Sequence, residues 1–328
     1  FNVIGFLNTV IKLKKLRNYV NEIVKFIIRE KPKIVITIDT KGFSLALAKS
    51  LRIAFKNSNF KCPLIHFVPP TIWAYGKSRL NKWKNLHDEL ICLYKIEEDI
   101  FKKYNTKCIY LGNPIIEKFL SFEQTKKNRY SYNQNSKKIN CLLLPGSRNS
   151  EIRYILPEFV KLIKNTKNIF RNVNWIIPTT KSQYSNVLSK INEIKSYSVK
   201  VIILEDNYEV LKHATLAIAC SGTITLELVL FKIPTIAVYK TDLISAFIGR
   251  ILVNFNNVIL PNFLLKEKAL PFLFQEKCNH NQMQKLLINY IKNIKSQNKI
   301  YENYSNNILQ NMSYKNTKST NFTSKSGK

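Results

Sequence analysis

The 328-residue sequence is poor in glycine, poor in acidic residues and without closely spaced cysteines. Its 6 cysteines form no Cys-x-x-Cys or Cys-x-x-His pair, which argues against a zinc site and favours buried free thiols in a reducing compartment. No apolar run reaches the roughly 18 to 20 residues of a membrane span, and no signal peptide is visible. We therefore expect a chain that stays in the cytoplasm.

Acidic residues are heavily outnumbered. Asp and Glu total 21 against 52 Lys and Arg, which gives a formal charge of +31. Such an excess suits an anionic membrane surface, nucleic acid or a phosphate-rich substrate. Lysine is spread over the whole length together with Asn and Ile, so compositional drift explains the excess equally well. No RNA-binding signature or helix-turn-helix pattern stands out, so we expect no nucleic-acid partner.

The chain does contain a regular alternation of apolar runs and helical spacing. Its length suits two domains, and short apolar runs predict strands near 34–38, 64–68, 89–94, 108–114, 141–144, 173–177, 200–204, 216–220 and 234–239. Helical patterns between consecutive strands imply parallel sheets. We predict a first lobe over 1–120, a polar linker over 121–138, a second lobe with closing C-terminal helices over 139–312, and a disordered polar tail over 313–328.

One of the few glycines lies in the stretch LLLPGSRNSEIRYILPEF, residues 142–159. This pattern predicts a strand, a turn and a helix, and parallel sheets bind ligands where strands end and helices begin. Gly146 would let the backbone approach a ligand, and Arg148 would offer a forked cation to phosphate. The alternative is an ordinary turn that carries a surface arginine.

A second strand-to-helix turn occurs in CSGTITLEL, residues 220–228. Ser221 fits a helix N-cap, and Gly222 and Thr223 open a helix whose amino-terminus attracts anions. Glu227 lies one turn further on among apolar residues, where a carboxylate needs hydrogen-bond donors such as ribose hydroxyls. The alternative is a glutamate that faces solvent on a short helix.

Other candidate residues are less defined. Asp39 follows the strand run IVITI, where a carboxylate could deprotonate an acceptor hydroxyl or instead cap the next helix. The loop at 66–79 carries Trp73 and Tyr75, which suit sugar stacking or an apolar chain, although a packed loop is the commoner outcome. The 4 histidines form no cluster and no Asp-x-Asp pair occurs, so we expect no bound metal.

Several motifs, taken in their order and spacing, are typical of one family. They are VITIDTKGF, PPTIWAYGKSR, YLGNP, PGSRNSEI, SGTITLEL, and LPNFL followed by PFLFQE. Over about residues 1–300 the sequence resembles the lipid A disaccharide synthases. The resemblance implies the GT-B glycosyltransferase architecture, an α/β fold with two Rossmann-like lobes and parallel sheets around a cleft, which agrees with the two predicted lobes.

The resemblance also implies a reaction and the residues that serve it. Members carry out an inverting transfer, without metal or cofactor, from UDP-2,3-diacylglucosamine to 2,3-diacylglucosamine 1-phosphate, giving the β-1,6-linked disaccharide and UDP. The matching catalytic positions are Asp39, as base or acceptor-site carboxylate, and Arg148. The matching donor positions are Gly146, Ser147, Arg148, Ser221, Gly222, Thr223, Glu227, Asn262 and Gln275. The loop for the acceptor and its acyl chains carries Trp73, Tyr75 and Arg79.

The substrates of the family also suggest a location. Because both carry acyl chains, we expect a peripheral protein on the cytoplasmic face of the inner membrane, docked on its anionic surface. Assembly into a homo-oligomer is a further expectation.

Some positions depart from the family pattern. Lys41 and Gly42 replace a Pro-Asp pair after Asp39, and Phe272 replaces a Glu. Members begin roughly 60 residues before the point that aligns with Phe1, with a glycine-rich first turn, so we expect a longer protein. Two alternatives stay open. One is another GT-B enzyme of UDP-sugars, such as a UDP-GlcNAc epimerase or the peptidoglycan GlcNAc transferase, and the other is an inactive remnant that binds UDP-sugar or anionic lipid.

Overall fold

The computed structural model describes residues 3–70, 83, 85–124, 138–194, 198–252 and 258–312. These residues divide into two compact units, with unit 1 ending at Asn113 and unit 2 beginning at Pro114. The predicted linker at 121–138 lies mostly outside the described residues, and the predicted tail at 313–328 lies entirely outside them.

Unit 1 is built on a parallel sheet. Its described strands are β1 (Val35–Ile38), β2 (Leu64–Phe67), β3 (Glu89–Cys92) and β4 (Cys108–Tyr110), hydrogen-bonded in the order β1-β2-β3-β4. Its described helices are α1 (Val3–Glu30), α2 (Lys41–Lys56) and α3 (Lys95–Lys102). Val20 of α1 and Leu47 of α2 pack with Leu64 of β2 in one apolar cluster. These contacts bury one face of the sheet at β1 and β2, whereas Ile36 and Ile38 on the other face of β1 are exposed.

Unit 2 contains a larger parallel sheet. Its described strands are β5 (Ile139–Leu144), β6 (Val173–Thr179), β7 (Val199–Ile203), β8 (Leu216–Cys220), β9 (Thr235–Tyr239) and β10 (Phe272–Phe274), in the order β10-β9-β8-β5-β6-β7. Its described helices are α4 (Pro114–Gln124), α5 (Asn149–Thr166), α6 (Tyr184–Lys190), α7 (Ile224–Leu230), α8 (Leu243–Leu252), α9 (Leu260–Leu265), α10 (His280–Lys292) and α11 (Ile294–Met312). Because the paired strands are parallel, their carboxyl ends share one edge of the sheet.

The central strands of unit 2 are buried on both faces. Cys141 and Leu143 of β5 lie in one apolar cluster with residues of α5 and α10, whereas Leu142 and Leu144 lie in another with residues of α7. Successive residues of a strand point to opposite faces. A strand that is covered on both sides therefore reads as a continuous apolar run, as the segments CLLL and LAIAC do.

Helix α4 belongs to unit 2. Phe119 and Phe122 of α4 pack edge-on against Phe231, with ring centroids 5.1 and 5.6 Å apart. The sequence pattern places residues 114–120 at the end of the first lobe. It cannot reveal these contacts, because they join segments that are distant along the chain. The observed boundary between the units is set by that aromatic packing.

These elements confirm the predicted α/β class with parallel sheets. The sequence pattern does not reveal β10, because three residues are too few for a periodic signal. All 6 cysteine side chains lie in the described parts of the chain and are buried as free thiols. None of the described helices is long and apolar enough to cross a membrane.

Candidate functional site

Loops that follow four strands of unit 2 meet at the carboxyl edge of the sheet. They follow β5, β6, β7 and β8, and with α4 they line a cavity of about 450 Å³, within the ~300 to 1,000 Å³ typical of small-ligand sites. Two of these loops are the β5 turn, residues 145–148, and the β8 turn, residues 221–223. The predicted donor residues that line the cavity are Gly146, Ser147, Arg148, Ser221, Gly222, Thr223 and Glu227.

The β5 turn is held by Glu151, which lies in the first turn of α5. Its carboxylate oxygen Oε2 accepts hydrogen bonds from the backbone N–H groups of Ser147 and Arg148, at 2.9 and 3.2 Å. A carboxylate at this position satisfies amide groups that the helix itself leaves without partners. Since these two N–H groups are occupied, the β5 turn offers a ligand mainly its side chains.

The glycine of the β5 turn has a reason internal to the turn. Gly146 has a φ of +106°, a conformation that residues with a side chain rarely adopt. A Cβ atom built at this position would lie 2.6 Å from the Cβ atom of Glu151, closer than real Cβ atoms approach. Gly146 therefore admits the capping carboxylate, a role that the sequence pattern did not indicate.

Arg148 extends from the β5 turn into solvent at the cavity. Its side chain is 76% exposed, and its Nη1 atom lies 3.3 Å from Oε1 of Glu151. An exposed ion pair of this kind contributes little to stability. A guanidinium has five N–H donors in a fixed fork, so Arg148 can pair with Glu151 and still bind an anionic ligand.

The glycine of the β8 turn has open space around it, whereas that of the β5 turn packs against Glu151. The N–H group of Ser221 donates to the carbonyl of Val238 at 2.8 Å, which ties the start of the turn to β9. A Cβ atom built on Gly222 would meet no heavy atom within 4 Å, so a ligand can come close to this backbone. Helix α7 begins at Ile224 with Thr223 at its N-cap position, so the prediction of Ser221 as the N-cap is wrong.

Glu227 is held at the cavity by two neighbours. The Tyr208 hydroxyl donates a hydrogen bond to its Oε2 atom, and Nζ of Lys118 lies 3.8 Å from the same oxygen. Lys118 also lies over the Tyr208 ring, with its Nζ atom 3.6 Å from the centroid. Burial, and then the Glu227 carboxylate, raise the pKa of the Tyr208 hydroxyl, so Tyr208 stays protonated and keeps donating. A carboxylate fixed in this way has acceptor capacity left for the hydroxyls of a ligand.

Sequence reasoning misses several residues that line this cavity, among them Lys118, Thr179 and Tyr208. The Thr179 hydroxyl is buried and has no hydrogen-bond partner among the described residues, so it can bond to a ligand. Thr179 ends the apolar strand β6, and the strand-end rule that singled out Gly146 could have found it. Lys118 and Tyr208 give no such signal, because only tertiary contacts bring them to Glu227.

Two predicted donor residues, Asn262 and Gln275, do not line this cavity. The side chain of Asn262 bonds twice to the backbone of Leu270, at 2.8 and 3.1 Å. The side-chain amide of Gln275 likewise accepts from the N–H group of Thr241 at 3.1 Å and donates to its carbonyl at 2.7 Å. Both amides are buried and act as clamps that join two backbone segments.

Asp39 lies in unit 1, at the carboxyl end of β1. Its backbone is left-handed with φ of 46°, its N–H group donates to Phe67 at 2.9 Å, and the residue is exposed. Thr40, not Asp39, is at the N-cap position of α2, so the Asp39 carboxylate is not used as a cap and has no partner within the described part of the chain. The predicted loop residues Trp73, Tyr75 and Arg79 lie outside the described residues.

Two cations and three carboxylates line the cavity, namely Lys118, Arg148, Glu151, Glu205 and Glu227. Lys118 and Arg148 can face an anionic group, whereas Glu151 caps a helix and Glu227 can accept from hydroxyls. Charge-assisted hydrogen bonds from arginine are among the strongest that a protein makes to phosphate. The arrangement therefore suits a ligand with phosphate groups and hydroxyls, such as a nucleoside diphosphate.

Comparison of the sequence with known proteins points to one family. The profile of the family described as lipid-A-disaccharide synthetase matches residues 1–325. The lipid-A-disaccharide synthase of Francisella philomiragia is 32% identical over 282 residues, which cover 84% of this chain and 72% of the relative. That of Rickettsia canadensis is 31% identical over 331 residues, covering 96% of this chain and 80% of the relative.

Solved structures with the same fold include two UDP-GlcNAc 2-epimerases. The enzyme of Neisseria meningitidis bound to UDP-GlcNAc has a TM-score of 0.56 at 12% identity and covers 90% of this chain and 80% of that one. The enzyme of Methanocaldococcus jannaschii in complex with UDP-GlcNAc and UDP has a TM-score of 0.53 at 18% identity and covers 82% and 72%. At such identities the likeness shows the fold alone, and it confirms the GT-B class. Because the family profile spans almost its whole length, the chain belongs to the lipid-A-disaccharide synthetase family.

Proposed function

We propose that this protein joins UDP-2,3-diacylglucosamine to 2,3-diacylglucosamine 1-phosphate, giving the β-1,6-linked lipid A disaccharide 1-phosphate and UDP. Family membership makes the chain a hexosyltransferase. The observation that carries the proposal is the convergence of the β5 turn, the β8 turn and Glu227 on one cavity. These are the motifs for which the family resemblance implies contact with the UDP-sugar. The alternative of another UDP-sugar enzyme is not favoured, because the matching relatives are lipid-A-disaccharide synthases.

On the donor side, we assign the ribose to Glu227 and the diphosphate to Arg148 and the β8 turn. Ribose hydroxyls can donate to Glu227 while Tyr208 holds that carboxylate in place. Negative charge grows on the leaving UDP as the bond to the sugar breaks, and Arg148 can offset it with a guanidinium that is already positioned by Glu151. Preorganised charge of this kind is usually the largest single contribution to a rate enhancement.

On the acceptor side, we assign proton removal to Asp39. An inverting transfer needs a base that takes the proton from the attacking acceptor hydroxyl, and a positioned carboxylate typically contributes ~10² to 10⁴-fold in rate. Asp39 is exposed at a strand end and does not cap α2. In the same proposal Trp73, Tyr75 and Arg79 contact the acceptor and its acyl chains.

The clamp residues support the donor site indirectly. Gln275 fixes Thr241, in the loop that leaves β9 beside the β8 turn. Asn262 closes the segment between α9 and β10 through Leu270. We assign both as positioning residues.

The acylated substrates place the reaction at a membrane surface. We assign the protein to the cytoplasmic face of the inner membrane as a peripheral protein, and a net charge of +31 suits binding to anionic lipids. Self-association into a homo-oligomer stays a prediction.

Disaccharide formation by the complete protein, with both substrates presented in detergent micelles, tests the proposal. We expect one UDP released per disaccharide, and a rate at least ~10²-fold lower for Asp39→Asn. Binding of UDP without any turnover would identify an inactive remnant. Conversion of the UDP-sugar that does not depend on acyl chains would point to a different UDP-sugar enzyme.

A further inference from the structure

Helix α8 carries four large apolar side chains outward. Leu243, Ile244, Phe247 and Ile251 are 78%, 75%, 64% and 67% exposed, whereas the small Ala246 is buried. An ordinary surface helix buries its apolar stripe and exposes polar residues. These four side chains of α8 therefore depart from that pattern.

The four outward side chains form one patch. At 100° per residue they fall within a sector of roughly 100° on the helix surface, and we call this sector the α8 face. Other exposed apolar residues of unit 2 lie elsewhere, such as Ile169 in the turn after α5 and Leu188 on α6. Single exposed apolar residues are ordinary, but a contiguous patch marks an interaction surface.

Helix α8 is held in place before any partner arrives. The carboxylate of Asp242 accepts a hydrogen bond from the N–H group of Ser245 at 2.9 Å, which caps the start of the helix. Gln275 clamps the preceding residue, Thr241, whereas the exposed ion pair of Arg250 with Glu276 adds little. A partner of the α8 face would therefore bind a preformed helix and would not have to order it.

Cations lie beside the α8 face. Arg250 is on α8 itself, about 20° from Leu243 around the helix axis. It also lines an adjoining cavity of about 750 Å³, together with Lys268 and Lys277 and the acidic Glu276. An apolar helix face flanked by basic residues is typical of elements that lie in the interface of an anionic bilayer. The charge of +31 for the whole chain favours the same partner.

We infer that the α8 face enters the interfacial layer of an anionic lipid bilayer while Arg250, Lys268 and Lys277 meet the lipid phosphates. This inference rests on the proposed function for its setting, since acylated substrates bring the protein to a membrane. It adds the part of unit 2 that makes the contact.

Co-sedimentation of the complete protein with vesicles of phosphatidylglycerol and phosphatidylethanolamine tests the inference. We expect the variant Leu243→Ser, Phe247→Ser, Ile251→Ser to bind at least roughly 30-fold more weakly than the parent, because three apolar side chains no longer enter the bilayer. The matched control Ile169→Ser, Leu188→Ser removes exposed apolar residues elsewhere in unit 2 and should bind like the parent. The variant Lys268→Gln, Lys277→Gln should lose roughly 5- to 25-fold in affinity, but only on vesicles that contain the anionic lipid.

A second measurement does not depend on a loss of binding. Measured as the difference from the parent, which carries the same 3 native tryptophans, the added fluorescence of the Phe247→Trp variant should shift to the blue and be quenched by bromine-labelled acyl chains when vesicles are added, whereas that of Ile169→Trp should not. Unchanged emission from Phe247→Trp on bound protein would overturn the inference.

Two other occupants of the α8 face give different results. If the triple serine variant binds vesicles like the parent but has a raised KM for the acylated donor in micelles, the face binds substrate and the inference is wrong. If the variant binds vesicles like the parent but has a lower assembly mass in solution without vesicles, the face joins two copies and the inference is equally wrong. UDP binding, measured alongside, separates these failures from a failure of the proposed function.

Discussion

The β5 turn and the β8 turn leave the same edge of one sheet, follow neighbouring strands and contain one glycine each, yet they are built in opposite ways. Gly146 has a φ of +106° and packs against the capping Glu151, whereas Gly222 has open space around it. Two backbone N–H groups of the β5 turn are bonded to Glu151. The space beside the β5 turn is thus occupied by Glu151 of the following helix, whereas the backbone of the β8 turn is open to a ligand.

This difference separates two uses of glycine that look alike in a sequence. In the β5 turn, glycine permits a strained backbone and a close carboxylate, and the ligand is met by the side chain of Arg148. In the β8 turn, glycine leaves the backbone accessible. The two turns should therefore respond differently to the same substitution.

Removal of the Arg148 cation from the β5 turn should have the largest effect. We expect Arg148→Ala to lower kcat by ~10² to 10³-fold, because preorganised charge acts mainly on the transition state. Its unfolding free energy should change by less than ~0.5 kcal/mol, since the side chain is 76% exposed. Steady-state kinetics measure the activity and urea unfolding measures the stability. The matched control is Arg153→Ala, which removes an exposed arginine from the helix that follows the β5 turn. Equal activity of both variants would remove Arg148 from the site.

The strained glycine should matter for stability. We expect Gly146→Ala to lower the unfolding free energy by ~2 to 4 kcal/mol, because it combines a positive φ with a contact of 2.6 Å to Glu151. Urea denaturation checks this value. Parent-like stability would show that the turn relaxes freely and that the comparison between the turns is wrong.

The open glycine should matter for binding instead. We expect Gly222→Ala to unfold like the parent, within ~0.5 kcal/mol, because a Cβ atom there meets nothing. Its affinity for UDP should fall about tenfold, or ~1.4 kcal/mol, because the methyl group occupies space next to the ligand. Calorimetric titration measures the affinity. Gly146→Ala provides the opposite case, because we expect that variant to lose stability. A destabilised Gly222→Ala with unchanged affinity would reverse the assignment.

The support of Glu227 should give a smaller effect. Tyr208→Phe removes one hydrogen bond to the carboxylate and keeps the ring under Lys118. We expect a loss of ~0.5 to 1.5 kcal/mol in UDP binding, the usual contribution of one hydrogen bond. A sharper check compares UDP with its 2′,3′-dideoxy analogue, because a residue that positions Glu227 should lose its effect when the ribose hydroxyls are absent.

Glu158 of helix α5 should give the smallest effect, and that effect should depend on pH. Burial alone would raise the pKa of Glu158, but the ion pair with Lys240 at 2.8 Å and hydrogen bonds from His280 hold it below its usual range. The stabilisation is therefore present above the unfolded-state pKa and is lost as pH falls through the lowered folded-state pKa. We expect Glu158→Gln to be less stable than the parent by ~1 kcal/mol at neutral pH, with a smaller gap in acid. Urea unfolding at both pH values would contradict this if the gap did not shrink.

The fold was largely predictable because strands covered on both sides appear in the sequence as apolar runs. β5 and β8 are such runs, and the turns after them follow from the rule that parallel strands end at one edge. The short edge strand β10 and the grouping of α4 with unit 2 depend on pairing and aromatic packing. No local pattern encodes those contacts.

The candidate site was predictable only in part for the same reason. Residues that follow strands were found, but Lys118 and Tyr208 reach Glu227 through contacts that only the folded chain creates. Asn262 and Gln275 came from family resemblance, and their side chains prove to bond to backbone groups. A motif thus identifies residues that matter without saying whether they touch the ligand or position the residues that do.

Calorimetric titration of UDP into the parent protein and into Arg148→Ala and Glu227→Ala is the most direct test of one donor site shared by the two turns. We expect the parent to bind UDP and each variant to lose at least about tenfold in affinity, or ~1.4 kcal/mol. A folded parent that binds no UDP, or variants that bind it as the parent does, would contradict the assignment of this cavity to the donor nucleotide.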